Sequence, residues 1–127
     1  MALVETRNAA PTARMVEERA MLLLATRAVR NAEGALLGHV QAGVLLNRNL
    51  PFIDHINEIV YPAGSLPFGS QGTATLFLDD VRISTNVRLF GAEKDQRAIG
   101  TRVSHTVRET VLGGGRLWLD RAFVVDD

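Results

Sequence analysis

Apolar and polar positions alternate with period two over two long stretches of the chain. Met21 to Arg30 (MLLLATRAVR) is the first. Ala35 to Asn47 is the second, with Val40, Ala42, Val44 and Leu46 on one side and His39, Gln41, Gly43 and Leu45 on the other. Successive strand residues point to opposite faces, so both stretches predict strands. Asn31-Ala32-Glu33-Gly34 between them is turn chemistry, in which Asn opens the turn and glycine takes the positive φ that closes it. Residues 21–47 therefore predict a long hairpin. The period then lengthens. Phe52, Ile53, Ile56, Ile59 and Val60 fall on one stripe of a helix, with Asp54, His55, Asn57 and Glu58 pointing away. Asn49 is a suitable N-cap, Pro51 is tolerated in the first turn, and Tyr61-Pro62 ends the element.

Residues 62–72 (PAGSLPFGSQG) hold two prolines and three glycines and predict a loop. Period two returns in 75–78 and 81–87, joined by Asp79-Asp80, where Asp tolerates left-handed backbone angles. Val81, Ile83, Thr85 and Val87 share one face of the second strand. Arg82, Ser84 and Asn86 share the other, which is too polar for a dry core and predicts a face toward solvent or a ligand cavity. Residues 88–100 predict a loop. Val103, Val107 and Val111, spaced by four, predict a helix over 101–112 that Gly113-Gly114-Gly115 stops. Arg116 to Val125 predicts a final strand. Residues 1–20 mix charges with Pro11 and predict a loop or short helix, frayed at its start. The order is hairpin, helix, hairpin, helix, strand, which predicts an α+β domain over 21–127 with a five-stranded antiparallel sheet and flanking helices.

Composition narrows the chemistry. The 127 residues suit one domain. Fourteen basic residues balance 14 acidic ones, so no electrostatic footprint for nucleic acid is present. The basic residues are all Arg except Lys94. The guanidinium fork suits planar anions, although Arg usage also follows genome composition. The absence of cysteine removes disulfides, Cys-ligated zinc and iron–sulfur clusters. No apolar run approaches the ~18 residues of a membrane-spanning helix, and the first residues are not a signal peptide. The chain stops on Asp126-Asp127 directly after an apolar pattern, as a piece of something longer would.

The three histidines, His39, His55 and His105, stand singly, so neither a metal nor any other cofactor is expected. The triple glycine follows a helix, whereas a phosphate-cradling loop precedes one. Ser104, His105 and Asp79 make a nucleophile triad only on paper. Adjacent helical residues diverge by about 100°, and no strand-to-helix elbow surrounds the serine. No catalytic residue is expected. Asp79-Asp80 reads as a turn rather than an acid–base pair, and Trp118 as a core or sheet-face residue. The polar side chains around the central hairpin, Arg82, Ser84, Asn86, Arg97, Thr101 and Arg102, are the candidate ligand-binding set. They are also explicable as a solvated face with helix-capping residues. As a pocket they would suit a small organic anion held by bidentate Arg.

The wording of four stretches adds to this reading. ATLFLDDVRISTNVR, RAIGTRVSHTVRETVLGGG and RLWLDRAFVV resemble the Cache-type extracytoplasmic sensor domain of bacterial histidine kinases and chemoreceptors. AVRNAEGALLGHVQAGVLLNRN resembles the segment just before it in tandem (double) Cache sensors. The resemblance covers roughly 20–125. It implies a PAS-like fold, a periplasmic location in an inner-membrane parent, small-ligand sensing, a homodimer, and membrane attachment only through segments not present here. It also implies that 21–47 is the last hairpin of one subdomain and 49–125 the first part of the next, without that subdomain's final two strands. The expectation is that 21–47 takes the place of the missing pair, within the chain or by exchange between two chains, with 35–47 paired to 73–78. The parent is expected to be a two-component sensor histidine kinase whose enzymatic domains lie elsewhere. A chemotaxis receptor, a diguanylate cyclase, a small hydrolase using Ser104 and His105, and a purely structural dimerisation module are the alternatives.

Overall fold

The computed structural model describes residues 1–89 and 96–119. The predicted hairpin is present as β1 (Leu22–Arg30) and β2 (Leu36–Leu45), paired antiparallel from Leu22↔Leu45 to Arg30↔Leu36. Asn31 closes its turn by accepting from the Ala35 N–H at 2.8 Å, and Gly34 adopts φ +83°. The predicted first helix forms as α1 (Leu50–Val60). Asn49 caps it by accepting from the Phe52 N–H at 3.2 Å, with Pro51 in the first turn. Only Ile53 of its apolar stripe is buried, while Ile59 and Val60 stay exposed. The second hairpin is β3 (Thr75–Leu78) and β4 (Val81–Thr85), and Asp79 sits in its turn at φ +51°.

The predicted five-stranded sheet is not what forms among the described residues. There are two separate two-stranded sheets, β1–β2 and β3–β4, with two helices. Residues 35–47 do not pair with 73–78 in this chain. The reason lies at the root of the hairpin. Leu46 is buried and the Arg48 N–H donates to the Ile83 carbonyl at 2.7 Å, which anchors the base of β2 on β4. The chain then enters α1, so the hairpin projects away from the body instead of lying beside β3.

The strand β4 is the centre of that body, and all five of its residues are buried. The polar face predicted to meet solvent or a cavity does not form: a register shift pairs Arg82 with Phe77 and Ser84 with Leu76, on opposite faces, and both side chains are buried. Residues 98–103, predicted as loop and helix start, run back along β4. Arg82 N–H donates to Thr101 O at 2.9 Å, Gly100 N–H to Arg82 O at 2.8 Å, and Val103 N–H to Asp80 O at 2.8 Å. Because 101–103 are used in this way, the second helix starts later than predicted. It is α2 (His105–Arg108), capped by Ser104 and continued as a π-helical turn to Gly113. Of the predicted final strand, 116–119 form no strand and 120–125 lie outside the described residues. Trp118 is half-buried.

The N-terminal segment is neither frayed nor helical. It doubles back through an Ala2↔Val16 bridge and lies against the 100–105 segment, with Val4 N–H donating to Gly100 O at 2.9 Å and Ala9 bridged to Ser104. Glu17 fastens it. Its buried carboxylate accepts from Arg14 at 2.9 Å and from Arg19 at 2.8 and 2.9 Å. Arg19 in turn pairs with Asp79 at 2.7 Å, tying the segment to the β3–β4 turn. The Arg19 hydrogen bond holds the Glu17 carboxyl well below its ordinary value, at about 2. A depressed carboxyl pKa contributes stability that is complete above the unfolded value of 4.5 and is lost as pH falls toward 2. Glu17→Gln is therefore expected to lower stability at pH 7 by about 1–3 kcal/mol. Melting curves of variant and parent should converge as the pH is taken from 4.5 down to 2.

Candidate functional site

One face of α1 carries Leu50, Asp54, Asn57, Glu58 and Tyr61 at helical spacing, and this face forms one wall of a cleft of about 730 Å³. The loop 62–71 forms the opposite wall, and Asn86, Arg88 and Arg97 close the end. Tyr61 ends α1 by donating its N–H to Asn57 O at 2.8 Å, and its ring lies over Gly72. A Cβ at Gly72 would sit inside that ring, so only glycine lets the loop return to the helix it left. The mouth of the loop is thereby fixed while its middle stands clear, with Phe68 fully exposed.

Arg97 joins the two sides. Its guanidinium donates to both carboxylate oxygens of Asp54, at 2.5 and 2.8 Å, and to the Thr85 carbonyl at 3.1 Å. Arg97 holds the Asp54 carboxyl below its ordinary value. Asn57 adds an unusual feature to the wall. Its Oδ1 is buried and accepts no hydrogen bond among the described residues. An unmatched acceptor away from bulk water costs about 1–3 kcal/mol unless a donor reaches it, and an incoming N–H or O–H would satisfy it.

Only two of the six sequence-predicted residues line this cleft, Asn86 and Arg97. Asn86 also holds the start of β3, accepting from Ala74 N–H at 2.8 Å and donating to Gly72 O at 3.1 Å. Arg82 is buried between the Thr101 hydroxyl, to which it donates at 2.8 Å, and the Phe77 ring, 5.1 Å from its centroid. Burial pulls its pKa down. Thr101 passes its own proton to Ala98 O at 2.7 Å. Ser84 donates to Asn49 O at 3.0 Å, fixing the start of α1 on β4. Arg102 lies at the other end of β4. It donates to Asp80 at 3.0 and 2.6 Å and to Ala10 O at 2.6 Å, lining a separate hollow of about 480 Å³ under the N-terminal segment. Of the paper triad, Ser104 caps α2 by accepting from Val107 N–H, and Asp79 is taken by Arg19. Among the described residues no cluster of His and acidic side chains has the makings of a metal site.

Asp54, Asn57, Glu58 and Tyr61 were not in the predicted set, because the charged side of an amphipathic helix reads first as a solvated one. The signal was there in the spacing of 50, 54, 57, 58 and 61, together with a turn-rich loop that starts where the stripe ends.

A small α+β domain with a ligand-sized cleft between helix, loop and hairpin is the class this geometry defines. The family model described as single Cache domain 3 matches residues 44–127, and the chain belongs to that family. Cache domains are extracytoplasmic sensor modules that in general bind small ligands. No curated protein and no solved structure matches the chain. No helix among the described residues is long and apolar enough to cross a membrane.

The Asp54–Arg97 pair is partly exposed, so its coupling is expected to be small despite good geometry. A double-mutant cycle with Asp54→Asn and Arg97→Gln should return under about 1 kcal/mol by denaturant unfolding. Gly72→Ala is expected to cost more, about 1–3 kcal/mol, because the Tyr61 ring must leave its seat. Its effect should read out as a lower melting temperature and faster proteolysis within 62–71.

Proposed function

We propose that this domain is the signal-reading part of a membrane-bound sensor histidine kinase of a two-component system, and that the cleft between α1 and the loop 62–71 takes a small organic anion. The family supports the sensor role. The cleft supports the place. The domain performs no catalysis of its own, and phosphoryl transfer belongs to other domains of the parent.

The observation that carries the reading is the Asp54–Arg97 pair at the end of the cleft, beside the unmatched Asn57 carbonyl. Asp54 is on α1, and Arg97 donates to the carbonyl of Thr85 at the end of β4. A ligand carboxylate offers the guanidinium the same two oxygens as Asp54 does. A ligand that takes this fork frees Asp54, and α1 loses one of its ties to β4. A ligand amine or hydroxyl reaching Asn57 Oδ1 adds a contact that the empty cleft lacks. Differential binding to the tied and released arrangements is what a sensor needs to shift its population.

Thermal-shift screening against carboxylic acids and amino acids tests this. At 100 times its dissociation constant a ligand stabilises by about 2.7 kcal/mol, or roughly 10 °C in a domain of this size. Arg97→Ala and Asn57→Ala should each abolish the shift, and Arg102→Ala should leave it. A carboxylate whose shift survives Arg97→Ala would place the site elsewhere.

A further inference from the structure

The loop 62–71 is held at its two ends and, among the described residues, nowhere between. Tyr61 N–H on Asn57 O fixes one end, and the Tyr61 ring over Gly72 fixes the other. Inside the loop the hydrogen bonds are its own. Ser65 N–H donates to Pro62 O at 2.9 Å, Ser70 N–H to Pro67 O at 3.2 Å, and the Ser70 hydroxyl to that same carbonyl at 2.9 Å. Two short turns make up this wall of the cleft, and moving the second breaks no hydrogen bond to another described segment.

That second turn carries Phe68 in a position that costs it twice. The ring is fully exposed, so it forfeits the free energy of leaving water. Its backbone is left-handed, at φ +57° and ψ +27°, where an L side chain is strained. Strain of this kind collects at ligand clamps and switch segments. Leu66 before it and Gly69 and Ser70 after it line the cleft, whereas Phe68 does not. Gly69 is left-handed as well, at φ +68°, and a Cβ there would meet nothing within 4 Å. The ring is thus set beside the cleft, on a turn with free space around its pivot.

The cleft itself has two characters. Arg97, Asp54 and Asn57 make it polar at one place, and Tyr61, Pro62 and Leu66 make it apolar where α1 gives way to the loop. Asp54, which holds Arg97, and Tyr61 are seven residues apart on one face of α1, which is about 10 Å along the helix. A carboxylate on the guanidinium with a ring one or two carbons away spans that interval. Acetate alone leaves most of the 730 Å³ unfilled.

We propose that the cleft selects aryl-substituted short-chain carboxylates, and that Phe68 turns out of its left-handed conformation to close over the ligand's ring, opposite Tyr61. This rests on the cleft reading above and adds which anion is preferred and what covers it. The open loop stores strain and an exposed ring, and closing on an aromatic group relieves both. A ligand without a ring gives Phe68 nothing to close on.

Calorimetric titration of the full chain with acetate, phenylacetate and 3-phenylpropionate tests this, together with amide hydrogen exchange. The two aryl acids should bind at least tenfold more tightly than acetate, and 3-phenylpropionate should slow exchange across 62–71. Phe68→Gly should weaken the aryl acids about tenfold and leave acetate unchanged. Glycine suits the left-handed backbone and the lost ring touches nothing, so the unliganded variant should melt close to the parent. Aryl acids that need Arg97 but bind no better than acetate overturn the proposal and leave the cleft reading standing. So do aryl affinities that Phe68→Gly leaves unchanged, an equal loss for acetate, or loop exchange that ignores the ligand. A parent that binds none of the three, or binds them equally well after Arg97→Ala, overturns both readings. The comparison of the three acids and the exchange measurement use the parent alone, so they decide the matter even if a variant folds poorly.

Discussion

Burying β4 on both faces is the constraint to which the rest of the body answers. Val81 and Ile83 are fully enclosed, and the polar Arg82 and Ser84 go inside with them. A register shift pairs Arg82 with Phe77 and Ser84 with Leu76, so the two polar side chains enter on opposite faces. Polar groups removed from water must find partners or cost more than the core returns. Each partner then fixes a different segment. The Ser84 hydroxyl settles the start of α1 through Asn49, and the Arg82 guanidinium settles 98–101 through Thr101. The Arg82 backbone holds the same segment against the strand. What looks like a loose set of loops around a short hairpin is the hydrogen-bonding periphery of one strand.

Much of the local structure was legible in the chain. Asn31 with Gly34, Asn49 with Pro51, and Asp79-Asp80 each state a turn or cap through chemistry that depends on near neighbours alone. The structure uses all three. Expectation and structure part wherever a distant segment decides. Period two places Arg82 and Ser84 on one face, but a register shift pairs Arg82 with Phe77 and Ser84 with Leu76, neighbours that point to opposite faces, and 98–103 pairs along the strand's other edge. Thr101 to Val103 continue a helical apolar spacing, yet backbone pairing to β4 claims them first. The hairpin at 21–47 forms as its period predicts, but within the chain 35–47 does not pair with 73–78, because one buried leucine at its root sets the direction it leaves in. The candidate site divided in the same way. Asn86 and Arg97 reach the cleft, whereas Asp54 and Asn57 were hidden by the assumption that charge on a helix faces water.

The preference for Arg over Lys also acquires a structural sense. Arg97 reaches 43 residues back to Asp54, and Arg102 reaches 92 residues back to Ala10. Arg19 bridges Glu17 and Asp79. These side chains join segments that regular structure leaves unconnected, and each uses several arms of the planar fork to do so. The small apolar core and the few strand pairs are thus supplemented by a net of guanidinium contacts. The placement of Gly100 belongs to the same scheme, since a Cβ there would lie 2.5 Å from Ala2 O and push the N-terminal segment off the body.

The seat of Tyr61 on Gly72 separates the history of the cleft from the history of the fold. A loop whose two ends are held by an aromatic ring and a bare backbone closes at a cost that grows only with the logarithm of its length, about 0.6 kcal/mol for each doubling. Residues can be gained, lost or exchanged between the two ends while β4 and its partners feel nothing. Relatives that keep the ring and the glycine are free to diverge in one wall of the cleft, and new ligand preferences can arise there by insertion long before any strand has to change.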